Sequence, residues 1–137
     1  NPELLRRQGP VRTPFDLDRL DTVAMSAAGD GRAAIRLEGP DGAEHVWYHA
    51  PRYVADDLAT LQFAVLGGTG AGVLPDYMCQ AALRNGLLKE VLPGWGPTPG
   101  ICHAVFPQRR ALVPAVRKLI DFLAENMIGA EPQDYSI

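Results

Sequence analysis

A cluster of four glycines in six positions, GGTGAG (67–72), restricts the fold of this chain more than any other feature. The run that precedes the cluster places Leu58, Leu61 and Val65 at the spacing of one face of a helix. The run that follows, AGVL, is short and apolar and predicts a strand. Because the glycines stand between a helix and a strand, we interpret them as a helix C-terminus and a tight turn.

A phosphate-binding loop is the alternative interpretation of these glycines. A dinucleotide-binding loop has a strand before its glycines and a helix after them, and this chain has the reverse order. Val73 also occupies the position of the third glycine in the G-x-G-x-x-G pattern. A P-loop would end in Gly-Lys followed by Ser or Thr, and that ending is absent from the cluster. The sequence therefore predicts no nucleotide site here and no cofactor.

Helices and short strands alternate along the rest of the chain. Helices are predicted for NPELLRRQ, TPFDLDRL, PDYMCQAALRN and VPAVRKLIDFLAENM, each with a proline near its start. Strands are predicted for DTVAM, LLKEVLP and ICHAVFP, and a hairpin for AAIRLEG and EHVWYHA around an Asp-Gly turn. This alternation predicts an α/β protein with a partly parallel sheet.

Composition and charge argue against several function classes. With 137 residues, 47% of them apolar, the chain suits one domain or two small lobes that share a core. Its net charge of −3 gives no general attraction to nucleic acid, which needs clustered Lys and Arg. Two cysteines are too few for a disulfide framework, so we expect a reducing, cytoplasmic setting. No apolar run approaches the roughly 18 residues of a membrane span. Because the chain begins with Asn1-Pro2, we expect it to be a segment of a longer protein.

The candidate nucleophiles and metal ligands lack partners at a useful spacing. Cys102 and His103 are adjacent in a predicted strand, so their side chains point to opposite faces. His45 and His49 share a strand face about 13 Å apart, too far to bind one metal ion, and we interpret both as strand surface. Ser26 lacks the G-x-S-x-G context of a nucleophile elbow. The sequence therefore favours binding over catalysis and predicts neither catalytic residues nor a metal site.

Two adjacent carboxylates, Asp56 and Asp57, stand at the start of the helix that precedes the glycines. A pair of catalytic acids is one interpretation of them. Helix caps are the simpler one, because carboxylates accept hydrogen bonds from free N–H groups and suit the positive end of the helix dipole.

Five segments, in order, resemble the effector-binding domain of LysR-type transcriptional regulators. They are NPELLRRQGPVRTPFDLDRLDTVAMS, the hairpin LEGPDG, RYVADDLATLQFAVLGGTGAGVLPDYM, and the two halves of GLLKEVLPGWGPTPGICHAVFPQRRALVPAVRKLIDFLAE. The resemblance covers nearly the whole chain, up to about residue 127. One departure is the turn, where members of the family often have Ala-Gly and this chain has Gly67-Gly68-Thr69.

The resemblance implies a periplasmic-binding-protein-like (type 2) fold, in which two α/β lobes enclose a ligand cleft and the second lobe is inserted into the first. On this basis residues 1–97 form the inserted lobe, and residues 98–137 supply the C-terminal strand and helix of the other lobe. The DNA-binding helix-turn-helix of the family is absent from this chain.

The resemblance also implies where an effector binds, because the family builds its cleft from loops after strands and from helix N-termini. The matching positions are Met25, Ser26, Ala27, Asp56, Asp57, Gly100 and Ile101. The implied partners are a small-molecule effector, with carboxylates as the candidate class, and DNA through a helix-turn-helix outside this chain. A homodimer or tetramer is also implied, and no membrane is.

Two function classes remain open on the sequence. The favoured one is the effector sensor of a DNA-binding regulator, and the alternative is a solute-binding protein of the same fold that serves transport. Sequence upstream of Asn1 would distinguish them, because a basic helix-turn-helix supports the regulator and a signal peptide supports the transport protein.

Overall fold

The structure, a computed structural model, describes residues 1–100, Val105 and residues 113–126. It divides into two units, Asn1–Pro99 and Gly100–Ile137. The helices are α1 (Pro2–Gln8), α2 (Leu58–Leu66), α3 (Asp76–Arg84) and, in the second unit, α4 (Pro114–Asn126). The strands are β1 (Val23–Ala24), β2 (Ala33–Glu38), β3 (Glu44–His49) and β4 (Tyr53–Val54). Two 3-10 helices span Pro14–Arg19 and Pro40–Gly42.

The strands form two small sheets in the first unit. The predicted hairpin is confirmed, with β2 and β3 antiparallel and Leu37 opposite His45. The 3-10 turn Pro40–Gly42 joins them at the predicted Asp-Gly position. β1 and β4 pair in parallel, with Val23 opposite Tyr53. The mixture of parallel and antiparallel pairs agrees with the α/β fold that the alternating pattern predicts.

The glycine cluster ends α2 as the sequence predicts. The Gly68 N–H donates to the Val65 carbonyl at 3.1 Å, and the Thr69 N–H donates to the Ala64 carbonyl at 3.0 Å. Gly68 has a φ of +76°, which residues other than glycine rarely adopt. This pair of hydrogen bonds with a left-handed glycine is the Schellman motif of a helix C-terminus.

The run AGVL after the glycines was wrongly predicted as a strand. Only Ala71 pairs, in a single parallel bridge with Thr22. The Ala71 N–H donates to the Asp21 carbonyl and its carbonyl accepts from the Val23 N–H, both at 2.8 Å. The backbone pairing ends after Ala71. The remaining residues of the run lead through Pro75, which has no N–H to pair, directly into α3.

The run LLKEVLP was also wrongly predicted as a strand. Residues 87–93 are irregular, and Leu92 has a φ of +60°. Leu88 and Leu92 are both buried, and each contributes to a different hydrophobic cluster. Their apolar side chains explain the strand-like pattern, and packing rather than backbone pairing holds the segment. The predicted strand ICHAVFP, with Cys102 and His103, lies outside the described residues except for Val105.

The first unit has two hydrophobic clusters. The hairpin cluster contains Leu17, Leu20, Leu37, Trp47 and Leu92. The helix cluster contains Val23, Leu61, Val65, Ala82 and Leu88. The second follows from the periodicity of α2, because Leu61 and Val65 are one helical turn apart and both face inward. None of the helices in the described ranges is long and apolar enough to cross a membrane.

Candidate functional site

A concave pocket of about 620 Å³ opens at the carboxyl end of β1, within the first unit. Its walls come from β1, from the segment that follows it and from the hairpin. The lining residues are Val23, Ala24, Met25, Ser26, Ala27, Ala28, Asp30, Arg32, Ala33, Ala34, Ile35, Tyr48, His49 and Val73. Three of the residues assigned to effector binding, Met25, Ser26 and Ala27, are therefore brought together in one pocket.

The local sequence explains why these three residues face open space. Strand β1 ends at Ala24, and a tight turn follows at Ala28–Gly31 before β2 begins. The Ala28 N–H donates to the Arg32 carbonyl at 2.7 Å, and Gly31 takes a φ of +78°. Met25, Ser26 and Ala27 lie between strand and turn, where Met25 and Ser26 are exposed.

Small apolar side chains dominate the pocket, with one residue of each charge. Arg32 supplies a guanidinium, and Asp30 supplies a carboxylate whose Oδ1 accepts from the Arg32 N–H at 3.0 Å. Tyr48 adds an exposed phenol. Among the described residues that line this pocket, Arg32 is the one that carries a positive charge. It could therefore pair with the carboxylate of a bound ligand.

His49 also lines the pocket and was wrongly predicted as strand surface. It is 7% exposed, and its Nδ1 lies 2.7 Å from the hydroxyl of Thr22, with which it forms a hydrogen bond. Its ring stacks on Trp47 with 4.4 Å between centroids. Burial lowers the pKa of His49 below its ordinary value. The ring is buried because the segment that leads into β1 covers this end of β3.

His45 is half-buried rather than fully on the surface. Its ring meets the edge of Phe15 at a centroid distance of 5.0 Å. The two histidines do lie on one face of β3, as their spacing predicts, and Trp47 stands between them. The alternation that places them together could not show which face packs against the rest of the unit.

The two predicted carboxylates at α2 have different roles. Asp57 is the N-cap, and its Oδ2 accepts from both the N–H and the hydroxyl of Thr60 at 2.7 Å. These hydrogen bonds lower the pKa of Asp57. The cap interpretation is thus confirmed for Asp57, whereas Asp56 is exposed and precedes the cap. Neither residue lines the pocket at β1.

The remaining predicted contacts lie at the start of the second unit. Gly100 is exposed and is the first residue of that unit. Ile101 lies outside the described residues. Sequence reasoning missed Arg32, Tyr48 and His49 as pocket residues. The sequence signal for them was their position: Arg32 directly precedes β2, and Tyr48 and His49 end β3, so all three lie at the end of the hairpin away from its turn.

Comparison with known proteins gives a consistent result. The sequence model of the family described as LysR substrate binding domain matches residues 1–128. The HTH-type transcriptional regulator PtxR of Pseudomonas aeruginosa is 33% identical over 133 residues, which cover 90% of this chain and 38% of that protein. A probable HTH-type transcriptional regulator, LtrA of Klebsiella pneumoniae, is 28% identical over 127 residues, covering 90% of this chain and 40% of that protein. The chain therefore spans less than half the length of these relatives.

Several solved structures resemble the fold, among them two of AphB. The regulatory domain of AphB in Vibrio vulnificus superposes with a TM-score of 0.68 at 21% identity, covering 90% of this chain and 60% of that one. The full-length Vibrio cholerae virulence activator AphB, a member of the LTTR protein family, gives a TM-score of 0.59 at 22% identity. That match covers 71% of this chain and 32% of that one. The fold is thus the periplasmic-binding-protein-like (type 2) α/β fold that the resemblance implies.

Proposed function

The chain belongs to the LysR substrate-binding domain family, and from this premise we propose that the protein it comes from senses a small effector and regulates transcription. The chain is the effector-binding part, and the DNA-binding helix-turn-helix is proposed to lie outside it. The relatives it matches are HTH-type transcriptional regulators, so the alternative of a transport protein has no support among them. A regulator of this kind acts in the cytoplasm, where its DNA target lies, and works as a homodimer or tetramer.

We further propose that residues 1–97 are the inserted lobe and residues 98–137 belong to the other lobe. The division of the structure after Pro99 supports this assignment. The segment GWGPTPG (94–100) contains two prolines and three glycines, a composition that suits a crossing between lobes.

The pocket at the end of β1 is the proposed effector site. The observation that carries the proposal is that Met25, Ser26 and Ala27 together line a pocket of about 620 Å³ at the carboxyl end of a parallel strand. In open α/β sheets ligands bind outside the carboxyl ends of strands, and this volume lies within the range of small-molecule sites. The start of α2 at Asp56 and Asp57 and the crossing at Gly100 and Ile101 remain proposed as further contacts.

Small carboxylates are the proposed effectors. Arg32 offers a charge-assisted hydrogen bond to a carboxylate, and the hydroxyl of Ser26 offers a second donor in the same pocket. The alanine-rich remainder of the lining suits a small apolar body. No catalytic role is part of this proposal.

Substitution of Ser26 by Ala tests the site in the full-length regulator. A hydrogen bond to a charged group contributes about 1.5–3 kcal/mol, so effector affinity should fall roughly 10- to 100-fold. Folding should be almost unchanged, because Ser26 is exposed. The effector is first found by calorimetric titration with a panel of small carboxylates that includes acetate, succinate and benzoate.

The matched control is Thr69→Ala, which removes an exposed hydroxyl that does not line the pocket. This variant should bind the effector as the wild type does. Equal affinities for Ser26→Ala and wild type would reject the role of Ser26. Failure of every carboxylate to bind would reject the proposed ligand class.

A further inference from the structure

Two residues of opposite charge that line the pocket at β1 belong to one turn. Asp30 and Arg32 stand on either side of Gly31. The Gly31 N–H donates to the Ala28 carbonyl at 2.8 Å, and the Arg32 N–H donates to Oδ1 of Asp30 at 3.0 Å. Consecutive Cα atoms are about 3.8 Å apart, so those of Asp30 and Arg32 are separated by at most about 7.6 Å. The turn therefore holds a carboxylate and a guanidinium within reach of one small molecule.

Neither of these charges is neutralised by another side chain that the structure describes. Both residues are exposed, and neither takes part in an ion pair between described residues, with each other or elsewhere. Oδ1 of Asp30 accepts from the backbone, which leaves Oδ2 for another donor. A ligand in the pocket can therefore pair with both groups without breaking an ion pair of the described fold.

The charge balance of the lining favours a ligand with one charge of each sign. Among the described lining residues, Asp30 and Arg32 are the ones charged at neutral pH, because burial lowers the pKa of His49 and favours its neutral ring. A plain carboxylate bound at Arg32 would be repelled by the carboxylate of Asp30. A positive group on the same ligand turns this repulsion into an attraction.

We propose that the effector is a zwitterion, an α-amino acid with an apolar side chain, whose carboxylate pairs with Arg32 and whose ammonium group pairs with Asp30. This inference rests on the proposed effector site and narrows its ligand class. An α-amino acid carries both charges on one carbon atom, which suits two protein charges from one turn. Its side chain suits the apolar part of the lining, to which Ala24, Ala27, Ala28, Ala33 and Ala34 contribute.

Matched pairs of ligands test the proposal on the full-length regulator. Each pair is an amino acid and the same acid without its amino group: alanine with propionate, valine with isovalerate, and phenylalanine with hydrocinnamate. In calorimetric titrations at neutral pH, at least one amino acid should bind about two- to fivefold more tightly than its partner, the size of effect that an exposed ion pair provides. If no pair favours its amino acid but the plain acids bind, the inference is overturned and the carboxylate site stands. If none of the six binds, the inference and the proposed ligand class both fail.

The variant Asp30→Asn identifies the group that pairs with the ammonium. Asparagine keeps the side-chain oxygen that accepts from the Arg32 N–H, so the turn is retained while the charge is lost. The preferred amino acid should lose its advantage over its partner, and the affinity of the partner should not fall. The control Asp41→Asn makes the same change in the exposed turn of the hairpin, which does not line the pocket, and should keep the wild-type preference. A preference that survives in Asp30→Asn would overturn the proposal.

Discussion

At the scale of single residues, the protonation of His49 depends on the residues that bury it. The imidazole is almost fully buried, hydrogen-bonded to Thr22 and stacked on Trp47. In this environment the neutral ring is favoured, because burial penalises the charged form. Protonation of His49 would put an uncompensated charge beside the proposed effector pocket.

The free energy of unfolding should therefore depend on pH through His49. Burial lowers its pKa in the folded state, so the unfolded chain takes up this proton at a higher pH than the folded chain does. Stability should be highest above the ordinary pKa of 6.5 and should fall as the pH drops toward the lowered folded-state value. Urea unfolding at about pH 7.5 and about pH 5.5 measures the difference, within the range where histidines titrate and carboxylates do not.

The variant His49→Gln should show a smaller difference between the two pH values, because glutamine can still hydrogen-bond to Thr22 and does not titrate. The control His45→Gln changes the half-buried histidine on the same strand face and should retain the wild-type difference. An unchanged pH dependence in His49→Gln would contradict this explanation.

At the scale of the elements, the turn that follows α2 packs closely against the backbone of Asp21 and Thr22, the segment before β1. A Cβ atom on Gly70 would lie 2.7 Å from the carbonyl carbon of Thr22 and 2.9 Å from the carbonyl oxygen of Asp21. Both contacts are to backbone, which cannot rotate away. Gly70 is required because it lets the turn after α2 reach the segment that leads into β1.

Replacement of Gly70 by Ala should destabilise the protein by about 1–3 kcal/mol, because the methyl group overpacks a buried position. Chemical unfolding monitored by circular dichroism gives the value. The matched control is Gly29→Ala, where a Cβ would meet nothing within 4 Å. That variant should lie within about 1 kcal/mol of the wild type and tend toward greater stability. Similar losses in both variants would show that chain flexibility, and not the contact with Thr22, sets the cost.

For the whole molecule, the exposed apolar side chains of α4 bear on association. Val116, Leu119 and Leu123 are spaced along one side of the helix, and each is more than a third exposed. Exposed apolar stripes of this kind promote association between copies or with other proteins. The net charge of −3 is small and opposes self-association only weakly.

The 137-residue chain should associate with itself in a concentration-dependent manner. Leu119→Gln should weaken this association about tenfold or more, because a leucine side chain then loses its favourable burial. The control Lys118→Gln changes the neighbouring exposed residue and should leave association nearly unchanged. Sedimentation velocity over a range of concentrations measures both. A monomeric wild type at high micromolar concentration would contradict the prediction.

The sequence by itself determined the features that depend on local chemistry. The Schellman end of α2, the Asp57 cap, the hairpin and α4 follow from glycine conformations, capping groups and periodic apolar residues, all of which act within a few positions of the chain. The order of the segments likewise carried the resemblance to the family. The resemblance also assigned Met25, Ser26 and Ala27 to effector binding, and the structure brings these three residues to one pocket.

Tertiary structure alone decided which apolar runs pair and which only pack. AGVL and LLKEVLP look like strands, yet a strand needs a neighbour with free backbone groups, and their sequence does not say whether one is present. The same holds for His49, whose burial depends on Thr22 from a distant segment. Contacts between residues far apart in the chain set these features, because burial and pairing depend on the surroundings of a residue and not on its neighbours in sequence.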